Sequence, residues 1–150
     1  MKDIRGFFGE YQYLSNFWYC DVYYDGQFFP TSEHAFVYAK VDPDDPSLEQ
    51  VYEDIVDLTP AQVKRYGRNI TLRENWDKIK FKVMAELVYD KFTRNPDLQR
   101  KLLDTGDCYI EETNTWNDRI WGVCKGEGKN ALGRIIMNTR ERIKLEQLFS

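Results

Sequence analysis

Aromatic and polar residues divide the first 30 positions into short extended segments. In DVYYDGQFFP, at 21–30, Asp25-Gly26 separates two aromatic runs and predicts a tight β-hairpin ended by Pro30. The equally aromatic FFGEYQYLSNFW before it also reads as strand. Thr31 and Ser32 carry oxygens that can accept from the amides of a first turn, so a helix is expected through about Lys40. DPDDP at 42–46 is a connector, and 47–57 suggests a short helix. TPAQVKRYG suggests another, with Thr59 as cap, Pro60 in the first helical position and Gly67 beyond the end. Trp76, Ile79, Val83 and Leu87 recur at helical spacing among Lys78, Lys80 and Lys82, which predicts a helix over 73–92. Asn95-Pro96 breaks that helix before a short one through Leu103. After Thr105-Gly106, strands are expected around 108–112 and 120–123 with an aromatic loop between them. Gly126 and Gly128 then lead into a last helix carrying Leu132, Ile135, Ile136 and Ile143. No repeat or linker interrupts this order. The expectation is one α+β domain over 1–150, a small, mostly antiparallel sheet surrounded by several helices.

Composition narrows the classes. With 42% hydrophobic and 31% charged residues the chain belongs with folded soluble proteins rather than disordered or membrane-embedded ones. It has neither an 18-residue apolar run nor a leader pattern, so no membrane association and a cytoplasmic location are expected. Cys20, Cys108 and Cys124 lack the close spacing of zinc motifs, and their odd count fits reduced thiols. His34 is the single histidine, which excludes multi-histidine metal sites; no metal and no cofactor are expected. The net charge of -4 conceals an asymmetry: residues 1–63 hold 3 basic and 12 acidic residues, and residues 64–150 hold 18 basic and 13 acidic. The two halves are either solvated faces, or the basic one meets phosphates.

Several constellations could carry chemistry. Glu33 and Lys40 are seven residues apart, about two helical turns, and project from nearly the same side with Phe36 and Val37 between them. Aromatic surroundings would disfavour the ammonium, making Lys40 a candidate nucleophile with Glu33 as its proton partner; solvated ends of an amphipathic helix are the competing reading. His34 could supply a hydrogen bond, serve the core, or pair with Cys124. NTWNDRIWG mixes Asn114, Trp116, Asp118, Arg119 and Trp121, which suits base stacking and ribose binding as well as a loop anchored by core tryptophans. An Asp118–Arg119 ion pair is a further structural option. GEGKNA, at 126–131, stands too close to the end for a dinucleotide fold, but amides there, with Lys125 and Lys129, could hold a phosphate.

Taken in order, these segments resemble the NADAR family. The matching pieces are FFGEYxYLSNF at 7–17, PTSEHAF at 30–36 with Lys40, RxxW at 73–76, NTWNDRIWG at 114–122 and GxGxNxLG at 126–133, then Met137 and Arg140. The resemblance implies an N-glycoside hydrolase cutting between ribose C1 and a base-like nitrogen. Its implied substrates are ADP-ribosylated guanine in nucleic acid or nucleotide or, alternatively, phosphoribosylated riboflavin-pathway intermediates. A noncatalytic ADP-ribose-binding module is the alternative of another class. Lys40 matches a lysine expected to form a Schiff base with opened ribose, Glu33 its essential carboxylate, and Asp118 a third catalytic group. Gly9, Ser15, Asn16, His34, Trp76, Asn114, Trp116, Trp121 and Asn130 are the substrate-binding candidates. Glu33 and Asp118 could alternatively flank the sugar as a carboxylate pair. Val37 departs from the family pattern, in which many relatives carry Gln. No obligate protein partner is implied.

Overall fold

The computed structural model describes residues 2–150. Strand β1 (Ile4–Arg5) is followed by a 3-10 helix over Gly9–Leu14, where extended structure was expected. Gly6 and Gly9 take φ of 92° and 60° and turn the backbone out of the β region, after which Tyr13 and Leu14 are buried together. The hairpin forms as anticipated: β2 (Val22–Tyr24) pairs antiparallel with β3 (Gln27–Phe29). Asp25 and Gly26 both have positive φ, 47° and 85°, as a two-residue turn matched to strand twist requires. Helix α1 (Ser32–Ala39) begins where Thr31 Oγ1 accepts the His34 N–H. Helix α2 (Leu48–Ile55) follows the acidic connector, and α3 (Pro60–Gly67) starts in a reciprocal box between Thr59 and Gln62. The long α4 (Trp76–Arg94) ends at Asn95-Pro96, and α5 (Pro96–Asp104) begins there. Strands β4 (Ile110–Glu111), β5 (Thr113–Asn114) and β6 (Val123–Cys124) precede α6 (Ala131–Leu148).

The class is α+β, and the hairpin is its antiparallel sheet. The remaining strands, each two residues long, pair in parallel as β1 with β4 and β5 with β6. Parallel pairing needs a connection that returns to the same end. The loop 115–122 provides it for β5 and β6, so the aromatic stretch expected to be partly strand is instead a crossover.

Packing divides the elements into two units, residues 16–94 and residues 1–15 with 95–150. In the first, α1 is wrapped by α2, α3, α4 and the hairpin, and all of Ser32–Ala39 except Glu33 is buried. That helix is therefore central rather than amphipathic. Val22, Ala35, Val37, Ile55, Val63, Leu87 and Phe92 form the core around it. In the second unit α6 packs on β4 and α5, with Ile4, Leu14, Leu102, Ile110 and Ile136 inside. Gly67 corrects one expectation: it is the last residue of α3, not a left-handed stop beyond it.

Candidate functional site

Within residues 16–94, Lys40 caps the end of α1, with its N–H on Val37 O and its own carbonyl accepting from Arg73 N–H at 2.8 Å. Its half-buried side chain places Nζ 5.7 Å from the centre of the Phe36 ring. Phe36 packs in turn on Trp76, 5.2 Å between centroids. Trp76 is only 6% exposed, so it backs the aromatic wall behind Lys40. Burial holds the Lys40 ammonium below its ordinary pKa, the Glu33 carboxylate pulls against that shift, and Lys64 and Arg68 reinforce it by repulsion. Of the two readings left open for this helix, the aromatic surroundings are the one observed.

Asn16 fastens the other end of α1: Ser32 Oγ donates to Asn16 Oδ1 at 2.8 Å, and Glu33 N–H donates to Asn16 O at 3.1 Å. Glu33, the one side chain of the helix left half-exposed, is thereby held through its backbone amide by Asn16, while the Ser15 amide donates to Gln12 O at the end of the 3-10 helix. His34 is fully buried. Leu58 O can only accept, so the 2.8 Å contact places a proton on Nε2, and Nδ1 then accepts from the Thr31 hydroxyl at 2.6 Å. Both ring nitrogens are taken, which leaves none to activate Cys124 and makes His34 a tie between α1 and the start of α3.

Within the second unit, Asn114 is buried and clamps the aromatic loop. Its Nδ2 donates to Asp118 O at 2.9 Å, and its Oδ1 accepts from Asp118 N–H at 3.0 Å. Asp118 Oδ1 accepts the Ile120 and Trp121 amides at 3.1 and 2.9 Å. Arg119 turns away to Glu127 at 3.7 Å, so the proposed Asp118–Arg119 ion pair does not form. Trp116 is 60% exposed, which excludes a core anchor; Trp121 is half-buried. Gly9 opens the 3-10 helix on the surface, with free space where a Cβ would stand.

The start of α6 overturns the phosphate reading of GEGKNA. The amides of Lys129, Asn130, Ala131 and Leu132 donate to the carbonyls of Arg119, Gly122, Ile120 and Trp121, respectively. A helix N-terminus whose amides are committed to a loop has no donors to spare for an anion. Asn130, buried at φ 52°, accepts from Glu112 N–H and donates to Ile110 O, joining β4 to α6. Gly122 and Gly133 allow this closeness, because a Cβ on either would collide with Asn114 or Asn130.

Sequence reasoning missed the α3 side of Lys40. A Cβ on Gly67 would lie 2.9 Å from Val37 Cγ2 and 3.4 Å from Lys40 Nζ, so α3 and α1 meet at this glycine. The basic residues at i and i+4 around it, Lys64 and Arg68, were the available signal.

Comparison with known proteins bears on the family and the fold. A family model described as the NADAR domain matches residues 6–144. The N-glycosidase YbiA of Escherichia coli (strain K12) is 34% identical over 143 residues, 92% of this chain and 85% of that protein. A riboflavin biosynthesis protein of Vibrio vulnificus (strain YJ016) is 35% identical over 135 residues, 88% of this chain but 35% of that longer protein. The NMR structure of E. coli YbiA superposes with a TM-score of 0.82 at 34% identity, covering 99% of this chain and 89% of the other. These matches define a hydrolase of the N-glycosidase type. The chain belongs to the NADAR family.

Proposed function

We propose that this enzyme hydrolyses the bond between ribose C1 and a base-like nitrogen through a Schiff base on Lys40, with Glu33 carrying protons. The observation that supports it most directly is Lys40 itself, half-buried against Phe36 with its ammonium disfavoured and Glu33 close enough to be felt. Glu33 protonates the ring oxygen as the C1–O bond breaks and leaves a C1=N iminium to the base, and the neutral Lys40 amine then adds to C1. The C1–N bond to the base then breaks, the base leaves with a proton, and an imine joins C1 to Nζ. Water adds to the imine and expels Lys40, and the released aldehyde recloses. The net change is one water consumed and one C1–N bond replaced by C1–O. Asp118 would bind ribose hydroxyls or assist at the scissile nitrogen, and Trp116 would stack on the base.

ADP-ribosylated guanine is the substrate that the motif resemblance implies. A phosphoribosylated riboflavin-pathway intermediate is the second reading, favoured by the 35% identity to the Vibrio protein named for that pathway. Both can be assayed together, as free ADP-ribose from modified DNA and ribose 5-phosphate from the intermediate; release from the second alone reverses the order. Lys40→Ala should abolish turnover while the circular dichroism spectrum stays unchanged, and borohydride added with substrate should label Lys40. Normal turnover by a folded Lys40→Ala protein excludes the Schiff base.

A further inference from the structure

One turn reaches Lys40 from two directions. Arg73, Glu74, Asn75 and Trp76 form a four-residue reversal in which Trp76 N–H returns to Arg73 O at 3.3 Å. Of its two central residues only Asn75 has positive φ, 62°, which is the arrangement of a type II turn. At the first corner the Arg73 N–H holds the Lys40 carbonyl at 2.8 Å, and the Arg73 side chain lines a cavity of about 150 Å³ with Tyr24 of the hairpin and Tyr38 of α1. That carbonyl stands at the end of α1, where a helix has no acceptor's partner of its own, so the Arg73 amide is what stops the last turn from fraying. At the last corner Trp76 begins α4 and packs on Phe36, the ring beside which Lys40 Nζ stands. The turn therefore grips the main chain of Lys40 with one end and backs its side chain with the other. Asn75 sets the span between the two grips. Its carbonyl accepts from the Lys78 and Ile79 N–H groups at 2.9 and 3.1 Å and so opens α4, while its left-handed backbone reverses the chain. Asparagine tolerates this region and glycine adopts it freely, whereas a β-branched residue there is strained. The Asn75 side chain is exposed and belongs to neither grip.

We infer that Asn75 is a positioning residue for Lys40: its left-handed bend fixes the turn 73–76, and that turn holds the amine against Phe36 and away from water. The inference rests on the reading of Lys40 as the attacking amine. Asn75 acts through the Arg73 amide and the Trp76 ring rather than on the reacting atoms. Burial is the largest influence that disfavours the Lys40 ammonium, so a slackened turn lets water back to the amine and restores its charged form.

Trace acetylation of Lys40 with acetic anhydride across pH, followed by mass spectrometry, reads the ionisation of the amine with no substrate present. In Asn75→Val the midpoint should rise by about one pH unit toward the ordinary lysine value, which at neutral pH leaves about a tenth of the neutral amine. Asn75→Gly keeps the bend without strain and should label as wild type does. Asn75→Ala strains the turn less than valine, should fall between the two, and serves if the valine protein does not fold. With a cleavable N-glycoside, Asn75→Val should lower kcat about tenfold at neutral pH, leave KM nearly unchanged, and move the rising limb of the pH profile as far as the labelling midpoint moved. An unshifted midpoint in a folded valine or alanine variant overturns the positioning role, as does a glycine variant impaired as much as the valine one. A lower kcat with the limb in place makes Asn75 only a structural part of α4 and overturns it too. A shifted midpoint in a protein whose Lys40→Ala variant still cleaves leaves the positioning standing and sinks the Schiff-base reading. Turnover lost in Lys40→Ala with no shift in any Asn75 variant does the reverse.

Discussion

Trp116 and Trp121 share a motif but not an environment. Trp116 is 60% exposed, and a large apolar ring held in solvent by a clamped loop is a surface for another flat group. Trp116→Leu should leave the melting temperature nearly unchanged, because little packing is lost. It should weaken nucleotide substrate binding by about 1–3 kcal/mol, the usual scale for stacking on a base, as read by titration with a non-cleavable analogue. A drop in melting temperature with unaltered affinity would return Trp116 to a structural role. Asp118 differs again: one of its oxygens already holds the Ile120 and Trp121 amides, so part of its work is to shape the loop that presents the tryptophans.

At the scale of elements, the contact of α3 with α1 decides what surrounds Lys40. Thr59, Pro60 and Gln62 start α3 at a defined residue, and Gly67 lets its last turn settle against Val37 and Lys40. Gly67→Ala places a methyl group 2.9 Å from Val37 Cγ2 and 3.4 Å from Lys40 Nζ, so the contact has to shift next to the amine. Overpacking of this kind costs about 1–3 kcal/mol. The expected result is a lower melting temperature together with slower turnover, whereas a more stable and equally active Gly67→Ala protein would show that the helices separate freely. The loop leading into α6 obeys the same logic, since its glycines admit backbone and asparagine side chains where a Cβ would not fit.

For the whole molecule, buried titratable groups set the dependence of stability on pH. Lys91 is 1% exposed, and burial pushes its ammonium down to about 8 from 10.5. Between those values the unfolded chain binds more protons than the folded one, so stability rises with pH across the window, and the full penalty applies below it. The slope contributed by one group is at most about 1.4 kcal/mol per pH unit. Denaturant unfolding at pH 7.5 and 9.5 should show wild type gaining on Lys91→Met over this interval; parallel changes in the two proteins would mean that Lys91 does not titrate there. His34 acts at the acid end. Burial keeps its imidazole neutral, so its contribution is present above the unfolded value of 6.5 and is lost as pH falls below it.

Local chemistry made the helix starts, the hairpin turn and the Asn95-Pro96 break legible from the chain alone, because caps, positive-φ turns and proline act over a few residues. The five ordered motifs likewise identified the family, and the seven-residue spacing singled out Glu33 and Lys40. Other features were not local. The aromatic start of the chain could extend or coil, and burial of Tyr13 and Leu14 decided for a 3-10 helix. Parallel pairing of β5 with β6 depends on where a loop returns, which periodicity does not encode. The amides at the start of α6 look like spare donors in the sequence, and only the fold sets the carbonyls of 119–122 against them. Lys64 and Arg68 lie 24 and 28 residues from Lys40 in the sequence, and only the packing of α3 at Gly67 makes them its neighbours. The sequence by itself therefore determined the family, the caps of α1 and α3, the hairpin turn and the break before α5, and nominated Glu33 and Lys40 as candidates for the chemistry. Tertiary structure decided which charges surround them, because electrostatic interactions depend on distance through space and on burial, neither of which is a property of a position in the chain.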